Sequence, residues 1–433
     1  MKNKLVLVSV DSLQSGDLKA FLNLPYMASV ASEISVVKNV REIYPTLTYP
    51  IHNTMITGVY PATHGITHNQ RLSIQPENPD FNIMGSNWYW EKSNLKVPTL
   101  VDAVIEAGGT AATVLWPTTA GEKRGFNVPE IWPEAGEDPR ELMERTASPA
   151  VLDAYYQRFM SRYDWRSPID FAEYSIDIAA DILQNHKPDL LLCHFAHLDY
   201  FRHDYGVYAK EAAYALRMMD VAIGRLMKAA KDAGTWEQTN FVILGDHGQI
   251  NIRQIFNLNN LLQKYGFIRC GDNGKITDYD AYSFSAGFST QIMLRNPDDA
   301  EIKKRLHQIL LDMQAEFPEY IDRVYTADEA MKEEQLMGDF NFVLEGTEGT
   351  LFANDLHEKL IIPYGTPEYK MYRATHGHHP SKGEKPPFIA FGPGICPGNH
   401  IDHGTMLDVC PTLAALVGVD MPQMVGNPFP ILR

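Results

Sequence analysis

Short apolar runs alternate with helical patterns along most of this chain. The clearest runs are KLVLVSV (4–10), AATVLW (111–116), DLLLCHF (189–195), FVILG (241–245) and PFIAFG (387–392). Apolar residues with helical spacing predict helices over 97–107, 210–233 and 300–317, and two glycines follow the first of these, as is common at a helix C-terminus. Wholly apolar strands separated by helices are typical of a mostly parallel sheet with helices on both faces. The pattern therefore predicts an α/β fold.

Two regions interrupt this alternation. Residues 120–170 are rich in proline and acidic residues, and residues 251–370 combine a mixed pattern with several turn signals. Neither is bounded by a Gly/Ser-rich linker, and the chain has no visible internal repeat. We expect a single catalytic domain over 1–433 in which both regions are insertions that shape a site.

Composition narrows the class of protein. The chain has 433 residues, of which 45% are hydrophobic and 21% charged, as in a globular enzyme. The initial apolar run is too short for a signal peptide, no run is long enough to span a membrane, and the four cysteines lie far apart without a CxxC pair. We therefore expect reduced thiols and a cytoplasmic location. The formal net charge of −16 argues against stable nucleic-acid binding, and the oligomeric state is left open.

Candidate metal ligands follow the predicted strands. They are Asp11 after the first run, Asp199 and His203 after the third, Asp246 and His247 after the fourth, and His376 in ATHGHHP, which precedes the fifth. Ligands of open α/β sheets bind beyond the carboxyl ends of the strands. We therefore expect three carboxylates and three imidazoles to converge at one edge.

Each of these residues also has a simpler interpretation. Asp11 alone would usually be a helix cap or turn residue, Asp199 and His203 are spaced as an exposed helical pair, and a His-rich loop around His376 is more often solvated. Their common position at strand ends favours metal binding. Nitrogen and oxygen ligands without thiolate fit two divalent ions, with zinc favoured and manganese or another divalent ion as the alternative.

The segment YPTLTYPIHNTMITGVYPATHGITHNQ (44–70) identifies a family. Its part PTLTYPIHNTMITGVYPATHGITHN resembles the nucleophile segment of the nucleotide pyrophosphatase/phosphodiesterase branch of the alkaline phosphatase superfamily, and DVCPTLAALVGV (408–419) is also similar to that family. Three departures concern substrate choice. Tyr49 replaces a phenylalanine, Ile51 replaces an asparagine, and THGHHP lacks the family's GYDN continuation.

The resemblance implies an alkaline phosphatase-like fold and particular roles. Thr48 matches the nucleophile, and Asn69 matches the asparagine that contacts a non-bridging phosphate oxygen. One ion would be held by Asp199, His203 and His376, and the other by Asp11, Asp246, His247 and the Thr48 oxygen. Coordination to a divalent ion would activate the hydroxyl of a threonine, which is otherwise a poor nucleophile. For Thr46, His52 and His64 we expect structural hydrogen bonds.

The implied reaction is hydrolysis of phosphodiester or pyrophosphate bonds, of nucleotides or related phosphodiesters, through a covalent phosphothreonine-type intermediate. Tyr49 adjoins Thr48, and Tyr163 falls where related enzymes place an aromatic residue that stacks on a nucleobase, so both are expected to bind substrate. A phosphomonoesterase or phosphonate hydrolase would use the same residues and stays open. A catalytically silent metal-binding protein is the alternative from another class.

Overall fold

An eight-stranded mixed sheet runs through the centre of the computed structural model, which describes residues 3–71, 88–131, 137–160 and 168–433. The strands are β1 Lys4–Val10, β2 Ser35–Arg41, β3 Ala111–Val114, β4 Phe126–Val128, β5 Leu190–Phe195, β6 Thr239–Leu244, β7 Ile250–Asn251, β8 Gln254–Phe256, β9 Ile268–Cys270, β10 Ile276–Tyr279, β11 Ala281–Ser285, β12 Ser289–Leu294, β13 Ile321–Thr326, β14 Phe342–Gly346, β15 Thr350–Phe352, β16 Ile361–Pro363, β17 Ala374–Thr375, β18 Phe388–Phe391 and β19 His400–Thr405.

Helices cover both faces of this sheet. The α-helices are α1 Leu18–Phe21, α2 Pro25–Ala28, α3 Thr48–Thr57, α4 Pro61–His64, α5 Leu100–Glu106, α6 Pro139–Thr146, α7 Pro149–Val151, α8 Pro168–His186, α9 His197–Tyr205, α10 Lys210–Asp232, α11 Leu258–Lys264, α12 Ala300–Glu316, α13 Ala327–Glu334 and α14 Val409–Val417. Short 3-10 helices lie at Ser15–Asp17, Lys92–Asn94, Trp236–Gln238 and Met406–Asp408, and a π-helix lies at Leu152–Met160.

The strand order of the central sheet is β19-β2-β18-β6-β1-β5-β3-β4. All neighbours are parallel except at β18, which runs antiparallel to both β2 and β6. The predicted mostly parallel sheet is therefore confirmed. Because β18 is reversed, the residues before it lie at the edge where the parallel strands end.

All five predicted strands belong to this sheet, as β1, β3, β5, β6 and β18. The three predicted helices correspond to α5, α10 and α12, and α5 begins after Thr99, whose side chain accepts a hydrogen bond from the Asp102 N–H. Strands β2, β4 and β19 were not predicted. The HIDHGT sequence of β19 is mostly exposed and polar, so its pattern does not indicate a sheet strand.

Two hydrophobic cores lie on opposite faces of the sheet, and β1 contributes to both. Leu5 and Leu7 pack into one core, with residues of α3, α5 and α14. Val6 and Val8 pack into the other, with residues of α8 and α10. Successive strand residues point to opposite faces, which explains why a strand covered on both sides is apolar throughout.

The region 251–370 contains a four-stranded antiparallel sheet in the order β11-β12-β14-β13, packed on α12 around its own hydrophobic core. It also touches the segment that follows α4, because Gln291 Nε2 donates to the Thr67 carbonyl oxygen at 2.9 Å. None of the helices described is long and apolar enough to cross a membrane. The four cysteines lie among the described residues and form no disulfide there.

Candidate metal centre

The predicted metal ligands converge at the carboxyl edge of the parallel strands. Asp11 follows β1, α9 carries Asp199 and His203 directly after β5, and Asp246 and His247 follow β6. His376 arrives from the other direction, between β17 and the reversed strand β18. The next residue is Gly377, with φ +84°, where a Cβ atom would collide with the Ala286 carbonyl oxygen. Glycine is therefore required beside this histidine.

One group of possible ligands consists of Asp199, His203 and His376, whose ligand atoms all lie within 4.8 Å of one another. His203 Nε2 is 3.1 Å from Asp199 Oδ2, and His376 Nε2 is 4.0 Å from Asp199 Oδ1. The Nδ1 atoms of the two histidines lie 2.8 and 3.0 Å from the carbonyl oxygens of Ala374 and Thr46. Carbonyl oxygens only accept, so Nδ1 carries the proton and Nε2 is oriented toward the carboxylate, as in metal-binding histidines.

The second group consists of Asp11, Asp199 and His247, again within 4.8 Å of one another. Asp246 adjoins this group, because its Oδ2 lies 3.2 Å from His247 Nε2. Its Oδ1 accepts a hydrogen bond of 2.9 Å from the Ser12 N–H. The expected division assigned Asp199 to one ion only, whereas the structure places this carboxylate in both groups.

The chemistry of these groups fits a divalent cation. Asp11 Oδ1 and Asp246 Oδ2 are buried and accept no hydrogen bond from any residue that the structure describes. Burial raises the pKa of Asp11 well above its usual range, and the nearby Asp199 and Asp246 carboxylates raise it further. Burial also lowers the pKa of His247 and of His376 to about 3. Crowded carboxylates and unprotonated imidazoles are the groups that a divalent ion stabilises.

Thr48 lies beside the second group. It is the first residue of α3, and its Oγ1 lies 3.2 Å from His247 Nε2. Its side chain is almost buried, with 8% exposed. A helix N-terminus presents unsatisfied N–H groups and a partial positive charge, which favour an anion at this position.

Other polar residues of the same segment have structural contacts. The Thr46 hydroxyl accepts from the Gly377 N–H at 3.0 Å and is fully buried. His52 Nδ1 lies 2.8 Å from the Thr48 carbonyl oxygen. His64 is fully buried, and burial lowers its pKa to about 3. These positions agree with the structural roles expected for Thr46, His52 and His64.

The predicted substrate-binding residues have different positions. Asn69 Oδ1 accepts a hydrogen bond of 2.9 Å from the N–H of Tyr49, so the Asn69 amide lies beside the start of α3 with its Nδ2 group directed away from that bond. Tyr49 is fully buried in a hydrophobic core, with its ring 5.2 Å from that of Trp88. The ring therefore packs inside the core in this structure, and substrate binding by Tyr49 stays a prediction. Tyr163 lies outside the described residues.

Two further residues contact the ligands directly, and a third fixes the backbone beside Asp11. His194 Nε2 lies 3.0 Å from Asp11 Oδ2, and Gln249 Nε2 donates to Asp199 Oδ1. The buried Arg202 of α9 pairs with Asp17 at 2.7 Å and also donates to the Ser12 carbonyl oxygen. None of the three was predicted from the sequence. A histidine in the otherwise apolar run DLLLCHF is the signal that would have found His194.

A mixed sheet covered by helices on both faces, with Asp/His groups and a buried threonine at its carboxyl edge, has the arrangement of an alkaline phosphatase-like α/β fold. The model of the type I phosphodiesterase / nucleotide pyrophosphatase family matches residues 5–380. The chain belongs to this family.

Curated relatives match over part of their length. The chain is 26% identical over 256 residues to human bis(5'-adenosyl)-triphosphatase ENPP4. This alignment covers 58% of this chain and 48% of ENPP4. It is 25% identical over 255 residues to the venom phosphodiesterase CdcPDE of Crotalus durissus collilineatus. This alignment covers 58% of this chain and 27% of the venom protein. The aligned part therefore spans half or less of these relatives.

A solved structure of murine ectonucleotide pyrophosphatase/phosphodiesterase 5 has the same fold. The TM-score is 0.66 at 16% sequence identity, over 98% of this chain and 97% of the murine chain. That structure is an inactive threonine-to-alanine form in complex with AMP. A human structure of the same member gives a TM-score of 0.65 at 17% identity.

Proposed function

We propose that this protein hydrolyses phosphodiester or pyrophosphate bonds in nucleotides or related small phosphodiesters. The observation that carries the proposal is the position of Thr48 Oγ1, 3.2 Å from His247 Nε2 and next to two Asp/His groups. Membership of the type I phosphodiesterase / nucleotide pyrophosphatase family supports it. The cofactor is two divalent ions, with zinc as the first candidate and manganese as the alternative.

The chain's own residues supply the nucleophile and its orientation. The Thr48 oxygen attacks phosphorus, the bond to the leaving oxygen breaks on the opposite side, and water then cleaves the Thr48–phosphorus bond to restore the hydroxyl. When bound, divalent ions lower the pKa of the hydroxyl and stabilise the charge on the phosphoryl oxygens. Asp11, Asp246 and His247 would hold the ion beside Thr48, Asp199, His203 and His376 would hold the other, and the Asp199 carboxylate lies within reach of both ions.

Asn69 favours a diester as the substrate. The Tyr49 N–H fixes its Oδ1, so its Nδ2 group is the donor that remains for a phosphoryl oxygen. A neutral donor stabilises charge without titrating and suits the single negative charge of a phosphodiester. A monoester dianion would call for a further cation.

The whole chain, 1–433, forms one catalytic domain in this proposal. The support is contact between the 251–370 region and the segment after α4, since His68 Nε2 lies 3.0 Å from the Ser285 carbonyl oxygen. This contact lies one residue before Asn69. The 251–370 region would thereby fix one wall of the site.

Five substrates test the assignment: p-nitrophenyl phosphate, bis-p-nitrophenyl phosphate, a p-nitrophenyl ester of a nucleoside monophosphate, ATP and phosphonoacetate. The proposal requires the highest kcat/KM on a diester or on ATP, and loss of turnover after chelation. Fastest cleavage of p-nitrophenyl phosphate or of phosphonoacetate would assign a phosphomonoesterase or a phosphonate hydrolase. Metal binding without any turnover would make the protein a silent metal binder.

A further inference from the structure

Tyr372 lies at the outer border of the metal centre. Its ring centroid is 4.9 Å from that of His203, at an interplanar angle of 50°, and 45% of the residue is exposed. The adjacent Arg373 N–H donates to the His203 carbonyl oxygen at 2.6 Å. This hydrogen bond fixes the segment against α9. One side of the tyrosine thus faces a candidate ligand while the other faces solvent.

A series of side-chain contacts connects Thr48 to Tyr372. Thr48 Oγ1 contacts His247, whose ring stacks on that of His376 at a centroid distance of 3.8 Å. The His376 ring lies 5.4 Å from that of His203, which contacts Tyr372. In an in-line displacement the leaving oxygen departs on the side opposite the nucleophile. Tyr372 lies at the end of this series of contacts that is farther from Thr48, which is the side on which the leaving group would depart in the proposed reaction.

We propose that Tyr372 forms a leaving-group subsite that binds an uncharged aromatic ring in preference to an anionic group such as pyrophosphate. This inference rests on the proposed function, because only a displacement at Thr48 defines a leaving-group side. A half-exposed ring beside a ligand offers a flat apolar surface, and pairs of aromatic rings attract beyond the burial of their area.

The adjacent Arg373 guanidinium lies over the Tyr364 ring, 3.8 Å from its centroid, and the carboxylates near Tyr372 support the preference for an uncharged group. Asp204, the exposed residue after His203, presents a carboxylate on the same helix. The Asp199 and Asp204 carboxylates both lie close enough to Tyr372 to interact with it electrostatically. Bound metal would offset Asp199, but Asp204 would still repel an anionic leaving group.

Two substrates that share the retained group test this subsite. The p-nitrophenyl ester of thymidine 5'-monophosphate and thymidine 5'-triphosphate differ only in the leaving group. Tyr372→Ala should lower kcat/KM for the nitrophenyl ester by about tenfold, the upper range for an aromatic pair, and leave the triphosphate within about twofold. Tyr372→Phe should retain the wild-type ratio. Tyr26→Ala, which removes a ring of similar exposure (42%), is the control and should change neither substrate.

A binding measurement separates this inference from the proposed reaction. In a Thr48→Ala background, isothermal titration calorimetry should show that Tyr372→Ala weakens binding of the nitrophenyl ester but not of the triphosphate. If Tyr372→Ala weakens binding of both substrates equally, or of neither, the subsite is overturned. Turnover of either substrate by the wild type would still support the proposed reaction. If the wild type cleaves neither substrate, the proposed function fails, and unchanged binding of the nitrophenyl ester would still overturn the subsite.

Discussion

Thr48 Oγ1 lies 3.2 Å from His247 Nε2, on the side of α3 that faces the candidate metal ligands. The hydroxyl of Thr46, two residues earlier, forms hydrogen bonds with backbone groups instead. It accepts from the Gly377 N–H and donates to the His378 carbonyl oxygen. The two threonines of one short motif therefore differ in which groups their hydroxyls contact.

The first prediction separates these threonines. Thr48→Ala should lower kcat by several orders of magnitude with little change in folding or metal content, because it removes only the attacking oxygen. Thr46→Ala should keep substantial activity and lose stability instead, by about 1–3 kcal/mol, because buried hydrogen-bond partners lose their bond. Steady-state kinetics and urea unfolding of both variants measure this. If Thr46→Ala is inactive and Thr48→Ala is active, the nucleophile is Thr46 and not Thr48.

The second prediction concerns metal content. Protein purified without chelator should contain roughly two divalent ions per chain, as in two-metal hydrolases. Asp199→Ala should lose both, because its carboxylate belongs to both ligand groups. Asp204→Ala, an exposed aspartate of the same helix, is the matched control and should retain the ions. Metal analysis by mass spectrometry measures this, and full activity in demetallated protein would contradict the metal mechanism.

The third prediction concerns Asn69. Asn69→Ala should lower kcat/KM by roughly ten- to a thousandfold, the range for loss of one donor that stabilises transition-state charge. Metal content should not change, since Asn69 contacts the Tyr49 N–H and no candidate ligand is its hydrogen-bond partner among the described residues. Asn69→Asp, which keeps the acceptor but loses the Nδ2 donor, should be at least as impaired. Wild-type kinetics in either variant would leave Asn69 a structural role only.

The fourth prediction uses a carboxyl group outside the site. Glu42 is fully buried, 3.8 Å from Lys385 Nζ, and burial raises its pKa from 4.5 to about 7. The folded state therefore holds this proton more tightly than the unfolded chain. The contribution of protonated Glu42 to the free energy of unfolding is fully present below pH 4.5 and is lost as the pH rises through 7. Glu42→Gln should be free of this loss.

Urea unfolding from pH 4.5 to 8 compares the variant with the wild type. The stability of Glu42→Gln relative to the wild type should increase by about 3 kcal/mol across this interval, from 1.36 kcal/mol per pH unit. Glu33→Gln, at an exposed glutamate, is the control and should follow the wild-type profile. Parallel profiles for wild type and Glu42→Gln would mean that folding does not change the pKa of Glu42.

The sequence predicted those elements whose burial determines their composition. Strands β1, β5 and β6 are covered on both faces, so each had to be apolar, and the polar residues after them marked the edge where ligands meet. The apolar composition of a buried strand does not determine whether it runs parallel or antiparallel to its neighbours. Whether β18 runs with or against β6 depends on the path of the intervening chain, and the position of His376 at the ligand edge follows from that path.

Side-chain environment within the site was harder to predict. The run after Thr48 places a tyrosine next to the nucleophile, but helical geometry turns Tyr49 into the core, where its ring meets Trp88. The supporting contact of His194 with Asp11 joins strands whose pairing the sequence does not state. Sharing of Asp199 between the two groups depends on distances of a few ångströms, which spacing along a chain does not determine.

The reversed strand β18 also affects when the site can form. His376 lies 365 residues after Asp11 (376 − 11), and the chain must pass through the entire 251–370 region before it returns to the sheet. During synthesis from the N-terminus, the Asp199–His203–His376 group stays incomplete until residue 376 has emerged from the ribosome. Capture of metal by this group would then act as a checkpoint during biosynthesis, because only a chain synthesised beyond His376 can retain the ion.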